Sequence, residues 1–544
     1  MVERPALRQH RRSTGMRDRI TMSHRTTKET EDQSAALEFL ARAENYDPRP
    51  VDEPVHIVTH GSHVFLAGDR AYKLKRAVSF PYMDFGTLER RKKCTEAELV
   101  LNCRAAPELY IGIRHLTRAA DGALAFDGPG ETIEYVLEMQ RFGQDALLDR
   151  MAEDGKLTPD LIEQTAERIR AFHDAAEPLS AKDAPGAGAE GMRWVIEENL
   201  EEFASQPEHF APNETAAYKA RAREALSQLS RLLDDRVESG HAKHCHGDLH
   251  LRNICLIDGN PILFDGLEFN PRFACIDTLY DLAYFLSDLT SRGLPDLASI
   301  AFNRYFIDGG YDGLPCLPLF LSTRSAVRAK IMVSGAEAQE DASIREAMLE
   351  QSRQSFDAAQ RQIKPAKPVL IGVGGFSGSG KSTLAKALAQ HLSPARGAIH
   401  LRSDVIRKRQ HGYALTEHLP ASAYSSDGSA KVYRTMLTRA GEALQAGYPV
   451  IMDAVNDRPE DRHAIAALAK SLSVPFKGFW LEVPEEVMAR RIVARFNDAS
   501  DATETVMLTQ AQHGHGALGD WEKIKAGGTT AATLAIVKSR LGLP

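Results

Sequence analysis

Two groups of residues in this 544-residue chain have the types and spacing that phosphate chemistry requires. Gly375, Phe376, Ser377, Gly378, Ser379, Gly380, Lys381 and Ser382, followed by Thr383, spell G-x-x-x-x-G-K-[ST] between the apolar run VLIGVGGF and the helix-like STLAKALAQHL. Glycines let backbone N–H groups turn inward as an anion nest, and the helix N-terminus adds its positive dipole end. Lys381 would reach the β/γ-phosphates and the Ser382 hydroxyl would ligate Mg²⁺. The pattern predicts a site for ATP with Mg²⁺. Asp404, in HLRSDVIRK, is read as ending the next strand at the carboxyl edge of a sheet, where it can accept a hydroxyl proton. Asp453 closes PVIMDA and can hold the Mg²⁺ shell through water. Arg491 and Arg495, four apart on a predicted helix, would share a face and close over the phosphates as a lid.

The second group is His246-Gly247-Asp248-Leu249-His250-Leu251-Arg252-Asn253, which reads H-x-D-x-x-x-x-N, with Asp265 twelve residues after Asn253 at the end of the apolar run PILFD. A kinase catalytic loop keeps this spacing to its metal-binding aspartate. Asp248 can accept the proton of an acceptor hydroxyl, while Asn253 and Asp265 supply hard oxygen ligands for Mg²⁺. His246 is read as orienting the loop. Upstream, AYKLKR places Lys73 and Lys75 on one strand face, with Lys73 assigned to the nucleotide phosphates. Glu98 is its expected ion-pair partner, and Glu96 is the competing position. Gly61 and Ser62 are placed over the phosphates. His56, His60 and His63 fall in a β-turn-β region and are not read as metal ligands.

These residues need elements to hold them. Segments HVFLAGDRAYKLKR and TIEYVLEMQRF, with RRKKCTEAELVLNCRA between, predict a small β-rich lobe carrying one helix. From about residue 157 helical spacing takes over and runs to about 362, where KPAKP interrupts it. Strands VLIGVGGF, AIHLRSD, PVIMDAV and FKGFWLEV then alternate with helical runs, as in a parallel sheet with crossover helices. The expected domains are a disordered basic tail (1–33), an α+β bilobal domain (34–345), a helix end and linker (346–366), and an α/β domain with a parallel sheet (367–544).

Composition sets the outer limits. Hydrophobic residues are 43% and charged residues 26%, ordinary values for a globular protein. Six cysteines lie far apart without a C-x-x-C pair, so they are read as free thiols of a cytoplasmic protein. No apolar run is long enough to span a bilayer. Residues 1–28 hold eight Lys/Arg against two Asp/Glu, so the rest of a chain of net charge -7 is acidic, which argues against a broad nucleic-acid groove. Met16 and Met22 are alternative starts.

The C-terminal 367–544 resembles the P-loop small-molecule and polynucleotide kinase group AAA_33, through Arg402-Ser403-Asp404 and Arg491 to Arg495 followed by Ala499-Ser500-Asp501-Ala502. The resemblance implies transfer of the ATP γ-phosphate to a hydroxyl, with Asp404 as base. Residues 35 to 345 resemble the aminoglycoside phosphotransferase and choline kinase superfamily. The strings H-G-D-L-H-x-x-N-I and D-x-x-x-D-L-A-x-F (Asp277 to Phe285) carry that likeness, and Phe264 to Phe269 resemble a bacterial subgroup variant often fused to a P-loop kinase. The likeness implies a protein-kinase-like fold. Arg252, where many relatives have Gly, departs from the pattern, and Trp194 and Glu197 lie where relatives bind substrate. His173, alone on an amphipathic helix, is read as a satisfied core residue.

The reading that follows is a bifunctional ATP-dependent phosphotransferase, each half acting on a small hydroxylated molecule. Two alternatives stand beside it. One half is an ATP-binding regulatory module, or the C-terminal half is a polynucleotide 5'-hydroxyl kinase using a local basic groove near Arg402, Arg407, Lys408 and Arg409.

Overall fold

The computed structural model describes residues 31–543 apart from 81, 338, 394–396 and 496–497. All but the last three residues of the expected basic tail therefore lie outside the described residues.

Strands Val55–Val58, Ser62–Ala67, Arg70–Lys75, Glu131–Gln140, Tyr110–Arg118 and Leu124–Phe126 form, in that spatial order, an antiparallel six-stranded sheet. Their pleat sends alternate residues to opposite faces, which puts Lys73 and Lys75 on the same side. Helix Leu88–Cys103, capped by the Thr87 hydroxyl, packs on this sheet and carries Glu98. The helical lobe follows, and the loop 245–253 leaves its short strand Ala242–His244 to enter the hairpin Ile254–Ile257 and Asn260–Leu263.

Residues 346–366, expected as a helix end and linker, hold the greater part of a helix that runs Ala342–Gln362 and packs along Leu317–Glu337. Ser322 donates to the Ala359 carbonyl at 2.8 Å, and Phe356 sits among Phe203, Phe210 and Tyr218. By packing, this helix is part of the helical lobe, and the prolines Pro365 and Pro368 fall in the short connection after it.

Five parallel strands make the C-terminal sheet, in the order Ile399–Arg402, Val450–Asp453, Leu370–Gly374, Phe476–Glu482 and Trp521–Lys525. Trp521 lies flat over two inner strands because Gly372 and Gly478 leave room: a Cβ on either would come within 2.5 Å of the indole. Gly478→Ala is expected to destabilise the protein by about 1–3 kcal/mol through overpacking, read as a lower urea midpoint at unchanged slope.

The halves are not strung apart. One continuous apolar cluster includes Phe302 and Phe306 of the helical lobe together with Leu401, Tyr448 and Val450 of the parallel-sheet half, and Phe302 stacks on Tyr448 with ring centroids 5.9 Å apart. Arg409 pairs with Asp308, and Arg439 donates to the Ile307 carbonyl at 2.8 Å. Among the described residues no helix is long and apolar enough to cross a membrane.

Candidate active sites

In the N-terminal half, strand, helix and loop converge on one ammonium. Lys73 Nζ lies 2.7 Å from Glu98 and 2.5 Å from Asp265. Lys75 reaches the second Glu98 oxygen at 2.6 Å and Glu268 at 2.5 Å. Glu98 is buried between the two lysines, whereas Glu96 is exposed. Burial alone would raise the Glu98 carboxyl, but Lys73 and Lys75 pull it down to about 2. A folded value below the ordinary 4.5 gives stability that is fully present above that pH and is lost as pH falls toward 2. Glu98→Gln is expected to flatten this acid limb. At neutral pH it should cost about 3 kcal/mol, near the low end for a broken buried pair, because Asp265 and Glu268 remain with the lysines. Urea unfolding at a series of pH values measures both.

Asp248 is held from three sides. Asn253 donates its amide to the Asp248 carboxylate at 3.0 Å, His250 Nε2 lies 3.3 Å away, and the Tyr284 hydroxyl hydrogen-bonds the same carboxylate. Burial would raise Asp248, but His250, His246 and Tyr284 hold it well below the usual carboxylate range, so it stays ionised and able to accept a hydrogen bond from a hydroxyl. The loop hangs on helix Thr278–Ser291. Asp281 accepts from the backbone N–H groups of His246 at 3.0 Å and Gly247 at 2.9 Å, and Asp288 accepts from that of Leu251 at 3.0 Å. His173 is buried and satisfied, as expected, and its partners are informative: Nε2 meets Asp281 at 3.0 Å and Nδ1 meets the Tyr305 hydroxyl at 2.9 Å. Asp281 is the second aspartate of the string Asp277 to Phe285 but has no site role in the sequence reading, and Tyr284 and Asp288 are not singled out there; the spacing of three, then four, on one helix is the signal that could have joined them.

Other assignments sort plainly. His56 and His63 face each other across a hairpin at 3.0 Å, and His60 stacks on Phe80. Glu197 is engaged by Arg223 at 2.6 Å, and Trp194 stacks with Arg272 at 5.1 Å.

In the C-terminal half, Gly375, Gly378 and Gly380 take φ of 144°, 81° and 90°, conformations that L side chains rarely adopt, and the loop closes on the N-terminus of helix Lys381–Ala389. Lys381 Nζ rests 3.1 Å from the Phe376 carbonyl across the loop. Burial lowers the Lys381 ammonium, with Asp453 and Asp404 offsetting only part of the effect. The Ser379 hydroxyl is buried with no hydrogen-bond partner among the described residues. The Ser377 N–H donates at 2.9 Å to Gln510, on helix Glu504–His513, a contact that sequence reading missed. Ser377 to Thr383 of the phosphate loop and helix start, Asp404, Asp453, Arg491 and Arg495 all line one cavity of about 920 Å³.

Two placements differ from expectation. The strand ends at Arg402, so Asp404 stands in the first turn of helix Ser403–His411 instead of on a strand end. Arg491 and Arg495 do not share a helix face, because the helix is Glu485–Val493 and Arg495 lies beyond it. Arg491 donates to the carbonyls of Ser379, Ala526 and Gly528 at 3.1, 3.1 and 2.9 Å, while Arg495 turns to the Ser500 carbonyl at 3.3 Å and lies 3.8 Å from Asp498. The loop carbonyls and Asp498 satisfy the two guanidinium groups separately. Three of the four cations of the postulated basic groove are ion-paired within the fold, Arg402 with Asp498 at 2.6 Å, Lys408 with Asp501 at 2.9 Å and Arg409 with Asp308, while Arg407 donates to the Ala423 carbonyl at 2.7 Å.

Asp453 ends its strand fully buried, with His400 Nε2 at 3.0 Å. Burial would raise it, but His400, Arg402 and Lys381 hold it low, so a carboxylate stands beneath the phosphate loop.

Residues 113–317 match a family model described as a phosphotransferase enzyme family, and residues 370–514 match one described as an AAA domain, AAA_33. Uncharacterized proteins of Mycobacterium tuberculosis and Mycobacterium bovis are each 30% identical over 476 residues, 86% of this chain and 91% of theirs. The chain belongs to their family. Among solved structures, a gluconokinase from Sinorhizobium meliloti 1021 is 21% identical with a TM-score of 0.23, covering 33% of this chain and 96% of its own. A choline/ethanolamine kinase family protein from Mesorhizobium loti is 13% identical with a TM-score of 0.36, covering 60% and 98%. This chain joins a phosphotransferase-type bilobal domain to a P-loop domain, and both halves are of kinase or phosphotransferase type, with ATP as the co-substrate such domains use.

Proposed function

We propose that both halves transfer the ATP γ-phosphate to hydroxyls of small molecules, making the protein a bifunctional Mg²⁺-dependent kinase of the cytoplasm. The observation that carries this is the ionised, hydrogen-bonded Asp248 in one half, together with a phosphate loop, Lys381 and a buried Asp453 in the other. The N-terminal site uses Lys73, oriented by Glu98, on the phosphates, and Asp248 as the proton acceptor for the hydroxyl. At the C-terminal site Asp404 takes the same part, with Arg491 and Arg495 near the phosphates.

The donor sets suit a hard cation. The Asn253 side-chain nitrogen is committed to Asp248, no described residue donates to its side-chain oxygen Oδ1, and Asp265 stands opposite Lys73. In the other half Ser382 and Asp453 are the oxygen donors at the phosphate loop. Bound there, Mg²⁺ would neutralise charge on the β- and γ-phosphates. The ion pairs of Arg402, Lys408 and Arg409 favour a small acceptor over a polynucleotide end, because they leave less unpaired positive charge for phosphate contacts.

The test follows γ-labelled ATP in a metabolite extract with wild type, Asp248→Ala, Lys381→Ala and the double variant, and identifies each labelled product by mass. Two products that vanish separately are expected. Persistence of both in either single variant overturns the assignment.

A further inference from the structure

The outer strand Ile399–Arg402 of the parallel sheet pairs on one side only, with Val450–Asp453. Its other edge is met by a side chain from the N-terminal half. Asn303, on helix Pro295–Tyr305, accepts from the His400 N–H at 2.7 Å and donates to the Ala398 carbonyl at 3.1 Å. One carboxamide thus supplies the acceptor and the donor that a neighbouring strand would have offered, and the same amide nitrogen is fixed at 3.0 Å by the Ser299 carbonyl one turn earlier. The register and depth of this edge strand are therefore set from the other domain. Two of its side chains face the phosphate-loop side: His400, whose Nε2 holds Asp453 at 3.0 Å, and Arg402, which lines the cavity.

The same helix ends on Tyr305, whose hydroxyl meets His173. His173 holds Asp281, which accepts the backbone N–H groups of His246 and Gly247 in the N-terminal catalytic loop. The two routes leave the helix at positions two residues apart and end at the two reaction centres. A cavity of about 530 Å³ beside Asn303 is lined from both halves, His400 and Arg402 included.

We propose that helix Pro295–Tyr305 is a shared positioning element, in which Asn303 acts through His400 to orient Asp453 at the C-terminal phosphate site while Tyr305 acts through His173 and Asp281 on the N-terminal loop. Asn303 and His400 touch neither nucleotide nor acceptor in this scheme; they are positioning residues. Their effect falls on how well Asp453 meets the metal–nucleotide complex, and so on turnover and metal demand more than on affinity for nucleotide alone. The inference rests on the proposed kinase activity of the C-terminal half.

The decisive measurement uses the full-length protein and the Lys381-dependent labelled product. Asn303→Leu and His400→Leu are each expected to lower that product's kcat by about tenfold or more and to raise the half-saturating Mg²⁺ by a similar factor, the usual effect of removing a group that orients a metal-site residue. Because both act along one route, Asn303→Leu/His400→Leu should lose little more than either single variant. A second readout is independent of turnover: the tightening of a fluorescent ADP analogue on adding Mg²⁺ should shrink in both variants. His400→Gln, which keeps a donor toward Asp453, should recover part of the loss. If Asn303→Leu does not fold, Asn303→Asp keeps the acceptor for His400 N–H, removes the donor to Ala398, and is expected to show a smaller loss of the same kind. Wild-type kcat and Mg²⁺ dependence in folded Asn303→Leu, or fully additive losses in the double variant, overturn the inference. A product that survives Lys381→Ala points instead to failure of the underlying kinase assignment.

Discussion

Asp248→Ala is expected to lower formation of the N-terminal product by about 10²–10⁴, the range that a positioned general base contributes, with little change in the KM for ATP. Asp248 makes its contacts with Asn253, His250 and Tyr284 and none with Lys73, so the phosphate-facing side of the site keeps its ion pairs. The loop backbone does not hang on this carboxylate, since Asp281 and Asp288 accept its N–H groups. Loss of the charge should free His250, whose imidazolium Asp248 now favours despite burial. Asp248→Asn, which keeps shape and removes charge, should be nearly as inactive. Initial rates with the identified acceptor decide the matter, and an Asn variant retaining most of the wild-type kcat would remove Asp248 from the chemistry.

Lys381→Ala is expected to lower the second product by about 10²–10³, a magnitude typical of losing one preorganised charge at developing phosphate charge, and to weaken ATP binding along with it. The fold should tolerate the change. Lys381 is half-buried on the cavity wall and its hydrogen-bond partner is the neutral Phe376 carbonyl, so its removal breaks no ion pair of the unliganded protein. Thermal melting separates the two effects: the variant should melt close to wild type without nucleotide, and ATP should raise its melting temperature far less, since stabilisation follows the affinity of the folded state. An equal rise in both proteins would place the ATP site elsewhere.

Much of both candidate sites is legible because it is contiguous. The phosphate loop occupies eight consecutive positions, and backbone conformation there follows from glycine content and a helix start. Asp248 and Asn253 lie five apart on one loop, so their meeting needs no tertiary argument. Lys73 and Glu98 are legible for a different reason: a strand and, after one short hairpin, a helix that packs on its sheet bring them together at short sequence separation. The expected Arg491 and Arg495 lid shows where this reasoning stops. Four-residue spacing gives a common face only while the helix lasts, and it lasts to Val493.

Side-chain type and local spacing thus determine which fold class each half takes, and they name the acids and lysines that the two proposed phosphate-handling centres would use. Packing decides what completes them. Gln510 covers Ser377 from 133 positions away, and Asn303 meets His400 from 97 positions away and in the other half of the chain. A glutamine or an asparagine on a helix has no local pattern that separates a solvated surface residue from one filling a strand edge or a loop. Only the burial of the apolar faces around Phe302 and Tyr448 brings that carboxamide to the strand, because the hydrophobic contact sets where the helix lies and the hydrogen bonds follow from it.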